Sequence, residues 1–284
     1  MLNEKEITSL IKMLDDPDEA IAENIVDQLV KTGTPSIPKM QQIWEVNINP
    51  MVEQRIEEIE YKIRFHEATS FFSDWNSSGK NILEAWMFLS EMLDPDFNRE
   101  KTLDFVNRLR FDTWKELNDD LTTLEKCKIL TYIIQNMHQI SIIDVPQDVS
   151  PSHYLLSKVA INQEGSRTSI TILFQEIARM LDIELFGLNY FEYAILGYFT
   201  PYSDPQERNR EDILFYIIFG EKIHLIGNHQ LDLGMNIDDA SLYTPTSPNQ
   251  ILHKILFGLK RAYHKGNQGS KEAFCDAVIQ LLID

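Results

Sequence analysis

Apolar residues recur every three to four positions along most of this chain, and the places where that rhythm stops divide it. From Glu4 to about His66 four stripes follow one another: Ile7, Leu10, Ile11 and Leu14; Ile21, Ile25, Val26 and Leu29; Met40, Ile43 and Trp44; and Val52, Ile56, Ile59 and Ile63. Each predicts a helix with one buried face. Asp16-Pro17, Gly33 with Pro38, and Asn49-Pro50 separate the stripes, because Pro removes a backbone donor and Gly weakens helical preference. The Asn-Ser-Ser-Gly run ending at Gly79 reads as a linker. Helical spacing resumes from Asn81 to Met137, with Leu83, Trp86, Met87 and Leu89, then Leu103, Val106 and Leu109, then Leu124, Cys127, Leu130 and Ile134 turned to a core.

Beyond an extended loop bracketed by Pro146 and Pro151, the pattern changes. Residues 168–181 place Ile170, Leu173, Phe174, Ile177, Ala178 and Leu181 on one wide face, a helix for which Ser166 and Thr168 are both competent N-caps. Short β-rich runs follow at 185–190, 193–199, 213–219 and 222–226, with Gly220-Glu221 predicting a tight hairpin between the last two. A polar loop covers 200–210. Two more helical stripes close the chain, Ile251, Ile255, Leu256 and Leu259, then Phe274, Ala277, Val278 and Leu281, joined through Gly266-Asn267-Gln268-Gly269. A buried helix feeding antiparallel strands within a mainly helical chain predicts an α+β fold. The expected divisions are a helical cap over 1–66, a core over 80–245 and a C-terminal helical hairpin over 246–284.

Composition narrows the function classes. The 284 residues carry 26 Lys+Arg against 44 Asp+Glu, a formal charge of −18. A surface this acidic repels phosphate backbones and anionic lipid, and no compensating basic patch is evident, so neither nucleic acid nor membrane is expected as a partner. Residues 1–66 contribute thirteen acids and seven bases to that excess. The first twenty residues have acids where a secretory leader has a positive flank, and no apolar run approaches the ~20 residues of a membrane helix, so the expected location is cytoplasmic. Cys127 and Cys275 have no disulfide or zinc spacing and read as packing thiols. No cofactor or metal is expected.

Two resemblances add to this reading. The Leu-Asp-Asp-Pro-Asp run at 14–18 is similar to the inter-helix turn of HEAT-like repeats, with two units at most. Residues 153–199 resemble the central block of transglutaminase-like proteins of the SirB type, through Tyr154-Leu155, Gly165, Ser169-Ile170, Ile177-Ala178-Arg179-Met180-Leu181 and Gly187-Leu188-Asn189. The helical stretch from Leu83 and the closing string ILHKILFGLKRAYHKGN are similar to the family's flanking segments.

The second resemblance implies a papain-like core. In active members of the wider superfamily a Cys at the start of the buried helix attacks an acyl carbon, a His on the following strand takes the proton, and an Asp or Asn on the next strand orients that His. Carried onto this chain, the nucleophile position falls on Arg167, a guanidinium that stays protonated, and the His position falls on Tyr193, a poor base at neutral pH. The orienting position falls among Tyr216, Ile217 and Ile218, where no acid or amide stands. The expectation is a degenerate cleft in which Arg167, Tyr193 and Glu192 form a structural network. A non-catalytic scaffold with a protein or peptide partner is the first reading. An acyl-transfer hydrolase using Ser169 as nucleophile is the second, although capping suffices to explain that serine, and a helical-repeat adaptor is the third. His224, His229 and Asp232 have the residue types of a zinc site, but their spacing puts the imidazoles on opposite faces of a strand. His138 and His153 read as hydrogen-bonded surface or interface side chains.

Overall fold

The computed structural model describes residues 4–14, 18–44, 50–143, 149–188, 195–201, 210–227 and 245–282. The chain divides into two compact units, one formed by residues up to Lys80 together with those from Leu259 onward, the other by Asn81–Gly258.

The first unit is helical. α1 (Glu4–Lys12) packs on α2 (Glu19–Thr32) and α3 (Ile37–Trp44), and α2 and α3 pack on α4 (Pro50–Ser77). Asp18 caps α2 by accepting from the Ala20 amide at 2.9 Å, and Gly33 ends it at φ 75°, a left-handed value that suits glycine. The stripes meet in one core of Ile7, Ile11, Leu14, Ile25, Leu29, Met40, Ile56, Ile59 and Ile63. Ile21 is the exception. It stands exposed while Ala22 is buried, because 22, 25, 26 and 29 form the i, i+3, i+4, i+7 stripe and Ile21 lies one position off it. α4 also runs past the expected end near His66, held by buried Phe72 and Trp75 whose rings meet edge to face at 5.9 Å. α11 (Gly269–Leu281) packs along α4.

The second unit contains both sheets. α5 (Ile82–Leu93) is buried on nearly every side, and its Trp86 indole donates to the Tyr154 carbonyl at 2.7 Å. Asp94, at the C-terminal end of α5, accepts from Ser157 at 2.6 Å and pairs with Lys158 at 2.8 Å, both on α8 (Leu156–Asn162). α6 (Arg99–Glu116) starts at the Asn98 cap, and α7 (Thr123–Tyr132) at a Thr122–Glu125 capping box. α7 then widens into a π turn over Ile133–Met137. β1 (Ser141–Ile143) pairs in parallel with β2 (Glu164–Ser166), a two-stranded element that three-residue runs do not announce in the sequence.

β2 leads straight into α9 (Arg167–Met180). The chain continues through β3 (Phe186–Gly187), β4 (Ile195–Phe199), β5 (Ile213–Phe219) and β6 (Ile223–Gly227), an antiparallel sheet in sequence order. The hairpin between β5 and β6 is one residue longer than the two-residue turn expected at Gly220-Glu221, since Phe219 pairs with Ile223 across residues 220–222. One side of the sheet, including Leu196, Ile217 and Phe219, faces α9, where Phe174 and Phe219 meet edge to face at 5.5 Å. Leu188, Ile195, Phe199, Ile213 and Tyr216 form a second cluster on the sheet. α10 (Pro248–Lys265) follows, and the change from one unit to the other falls at Gly258–Leu259. The fold is therefore α+β and mainly helical. Among the described residues no helix is long and apolar enough to cross a membrane.

Candidate functional site

Chemistry in this chain concentrates at the start of α9. Gly165, in the middle of β2, precedes the helix, and a Cβ there would stand 2.8 Å from Ile170 Cδ1 and 3.3 Å from Val159 Cγ2, so the Ile170 side chain would have to shift. Ser166 is the N-cap, its Oγ accepting from the Ser169 amide at 3.1 Å. Thr168, the other cap candidate, instead lies inside the first turn.

Arg167 occupies the first helical position and is half-buried; its carbonyl accepts from Thr171 Oγ1 at 2.9 Å. Ser169 is fully enclosed, and its Oγ lies 2.9 Å from Ser166 Oγ. No imidazole is hydrogen-bonded to Ser169 among the described residues. Tyr193 and Glu192 lie outside the described residues, and with them the expected Arg167 network. On β5, Tyr216 and Ile217 are buried and Ile218 is half-buried.

The remaining chemistry-bearing residues are accounted for singly. Of the histidine pair considered for zinc, His224 is exposed, while His229 and Asp232 lie outside the described residues. No cluster of three metal-ligating side chains exists among the described residues. His138 Nε2 lies 2.8 Å from Asp112, and His153 accepts from the Ser150 amide at 3.0 Å and faces Glu164 at 3.3 Å. Cys127 and Cys275 are buried free thiols, each pushed up to about 12 by desolvation.

A narrow, mostly apolar recess, open to solvent, runs along the flank of α9. Thr168, Thr171, Ile172 and Gln175 form one wall at i, i+3, i+4 and i+7 spacing, with Gly187 and Leu196 from the sheet and Ile251 and Lys254 from α10 opposite. Three of its polar groups are occupied internally. Thr171 donates to Arg167, Thr246 donates to the Gly187 carbonyl at 3.2 Å, and Gln175 donates to the Leu185 carbonyl at 3.3 Å. Gly187 is required beside Thr246, since a Cβ there would overlap the threonine hydroxyl.

Lys254 differs from these. It is half-buried, and among the described residues it has no hydrogen bond or ion pair and no acid lines the recess. Burial pulls its ammonium below the ordinary lysine value of 10.5. Sequence reading passed over this residue, although a signal existed: Lys254 is three positions after Ile251 and four before Gly258, on the edge of the apolar stripe of α10.

No protein-family model matches the chain, and neither a curated protein nor a solved structure matches it.

Proposed function

We propose that the protein is a non-catalytic transglutaminase-like protein of the SirB type, working in the cytoplasm as an interaction or regulatory scaffold for a protein or peptide partner. α9, α5 to α8 and the antiparallel sheet stand for its papain-like core, and the helices over residues 1–66 for a HEAT-like cap. Support for the core comes from the order of elements: a capped, largely buried helix after Gly165, then strands that pack back on it.

The observation that carries the non-catalytic reading is the enclosure of Ser169. A nucleophile needs a base within hydrogen-bond reach and an open path to substrate. Ser169 is 0% exposed, and its hydroxyl bonds the helix cap. Arg167, one turn position from the cap, supplies a permanent cation in place of a thiolate.

Acyl and amide reporter substrates test this directly. The scaffold reading expects no turnover above buffer for wild type and for Ser169→Ala alike. Turnover that disappears in Ser169→Ala, with the variant still folded by circular dichroism, establishes the hydrolase in its place. Affinity capture from native lysate then identifies the partner.

A further inference from the structure

In the second unit, Phe111 and Trp114 of α6 stand 56% and 60% exposed. α6 buries Thr102, Phe105, Val106, Leu109 and Thr113, and Phe111 falls on the opposite side of the helix, one turn before Trp114. The two rings stack with centroids 6.0 Å apart and planes 25° from parallel, and the Lys115 ammonium lies 5.1 Å from the Phe111 centroid. Their own helix therefore orders these rings before any partner arrives. The charge beside them is basic. Arg108 and Arg110, both exposed, stand one turn before Phe111 and Trp114 respectively. From Asn107 to Lys115 the only acid is Asp112, half-buried, with one oxygen 2.8 Å from Lys115 and the other 2.8 Å from His138. Asp104 and Glu116 lie at the two ends of this ridge. Next to His138 in sequence is Met137, a further apolar side chain 51% exposed. Aromatic residues, Met and Arg are the types that interface cores enrich, and exposed apolar surface rimmed by polar groups marks a contact site.

We infer that this face of α6 is a docking surface for an acidic peptide segment of a partner protein, its aromatic or leucine side chains laid on the Phe111–Trp114 stack and its carboxylates paired with Arg108 and Arg110. Charge selects that occupant. A second copy of the chain meeting this face through a two-fold axis sets Arg108 and Arg110 against themselves. An extended polyanion, whether nucleic acid or an anionic bilayer, meets a few bases here and is repelled beyond them by a chain of formal charge −18. A short acidic segment keeps to the ridge, and screening over about 8 Å at physiological salt shields it from acids farther away. The inference gives a chemistry to the partner of the interaction reading above and rests on that reading; the transglutaminase-like core plays no part in it.

Fluorine-labelled tryptophan in the full chain tests it, with the Trp114 resonance assigned by its absence from Trp114→Phe. The probes are a peptide in which Asp and Glu alternate with Phe and Leu at helical spacing, the same peptide with Ser for Phe and Leu, the same with Lys for Asp and Glu, a DNA duplex, and phosphatidylserine vesicles. The expected result is a saturable shift of the Trp114 resonance with the first peptide alone, weakened by added salt. Phe111→Ala removes most of the response, and Arg108→Ser with Arg110→Ser weakens it about tenfold, each with an unchanged circular dichroism spectrum. Absence of a saturable shift, or an equal shift with the Ser or Lys peptide, overturns the surface. A stronger response to DNA or vesicles overturns it in favour of a polyanion, and a dimer by light scattering that Phe111→Ser with Trp114→Ser dissolves overturns it in favour of a second copy. Capture from lysate separates this inference from the scaffold reading. A partner held equally by wild type and by that double variant overturns the surface and leaves the scaffold, whereas peptide saturation at Trp114 with no captured partner supports the surface and counts against the scaffold.

Discussion

At the corner of α5 and α8, Lys158 reaches Asp94 at 2.8 Å and Asp96 at 3.1 Å, whereas along α9 and α10 Lys254 lines a recess with no carboxylate among the described residues. Both side chains are half-buried and both belong to the second unit. The chain has 44 acids to offer and only 26 Lys and Arg to pair them with, so the two lysines differ by local packing and not by supply. Desolvation pulls both ammonium groups downward. At Lys158 the hydrogen bonds and charges of Asp94 and Asp96 outweigh it and raise the group, while at Lys254 nothing opposes it. The first lysine stabilises a corner. The second has only burial acting on it among the described residues.

Substitution separates the two places most strongly at Asp94. Asp94→Ala removes the acceptor of Ser157, the partner of Lys158 and the Asp96 turn bond together, and about 3–5 kcal/mol of stability is expected to go with them, read from the urea midpoint at constant slope. Lys158→Met costs less, about 2 kcal/mol, since Ser157 and the Asp96 amide still serve the carboxylate. Lys254→Met is expected to be neutral or stabilising, by up to about 1 kcal/mol, because it exchanges a half-buried ammonium with no ion pair among the described residues for an apolar group of similar length. A loss at Lys254 equal to that at Lys158 would end the contrast.

Alkaline titration sharpens it. Lys158 has a folded value above the ordinary 10.5, so its stabilisation is complete below 10.5 and is lost as pH rises through the folded value. Lys254 has a folded value below 10.5, so the unfolded chain binds its proton more tightly and stability is gained as pH rises from the folded value towards 10.5. Comparing each Met variant with wild type across this range isolates the two slopes, which are expected to have opposite signs.

The smallest effect concerns the thiols, one in each unit. Cys127 and Cys275 are fully buried, with values pushed up to about 12. Neither is expected to react with a thiol reagent in the native protein at neutral pH. In increasing urea, the thiol that labels first reports which unit opens first.

Helices were legible in the sequence because their stripes are long. Val52, Ile56, Ile59 and Ile63, and likewise Ile170, Leu173, Phe174 and Ile177, fall on one face each and are buried as their spacing requires. Where Ile21 was placed inside and Ala22 was not, hydrophobicity had been read before angle. β1 and β2 gave no signal, since three residues cannot display a period and their pairing is set by a partner about twenty positions away. The strand at 185–190 survives only as Phe186–Gly187 within the described residues. The recess was the least legible feature. Ser166, Arg167 and Ser169 stand out in a sequence by residue type at a helix start, whereas Lys254 becomes distinctive only through the burial that α9 and the sheet impose on it, a property that pattern and spacing do not carry.

The packing of α11 on α4 has a consequence for the order of assembly. The Ser270 hydroxyl donates to the Glu57 carbonyl across 213 positions of sequence, and α11 comes last among the described elements. During synthesis α1 to α4 emerge well before α11, the helix that packs along α4, while residues 81–258 between them form their own contacts. Such long-range closure raises contact order and slows the last step. The packing of α4 is thus completed only after the whole of the second unit has been made, and a nascent chain stalled before residue 269 would present the uncovered flank of α4 to chaperones.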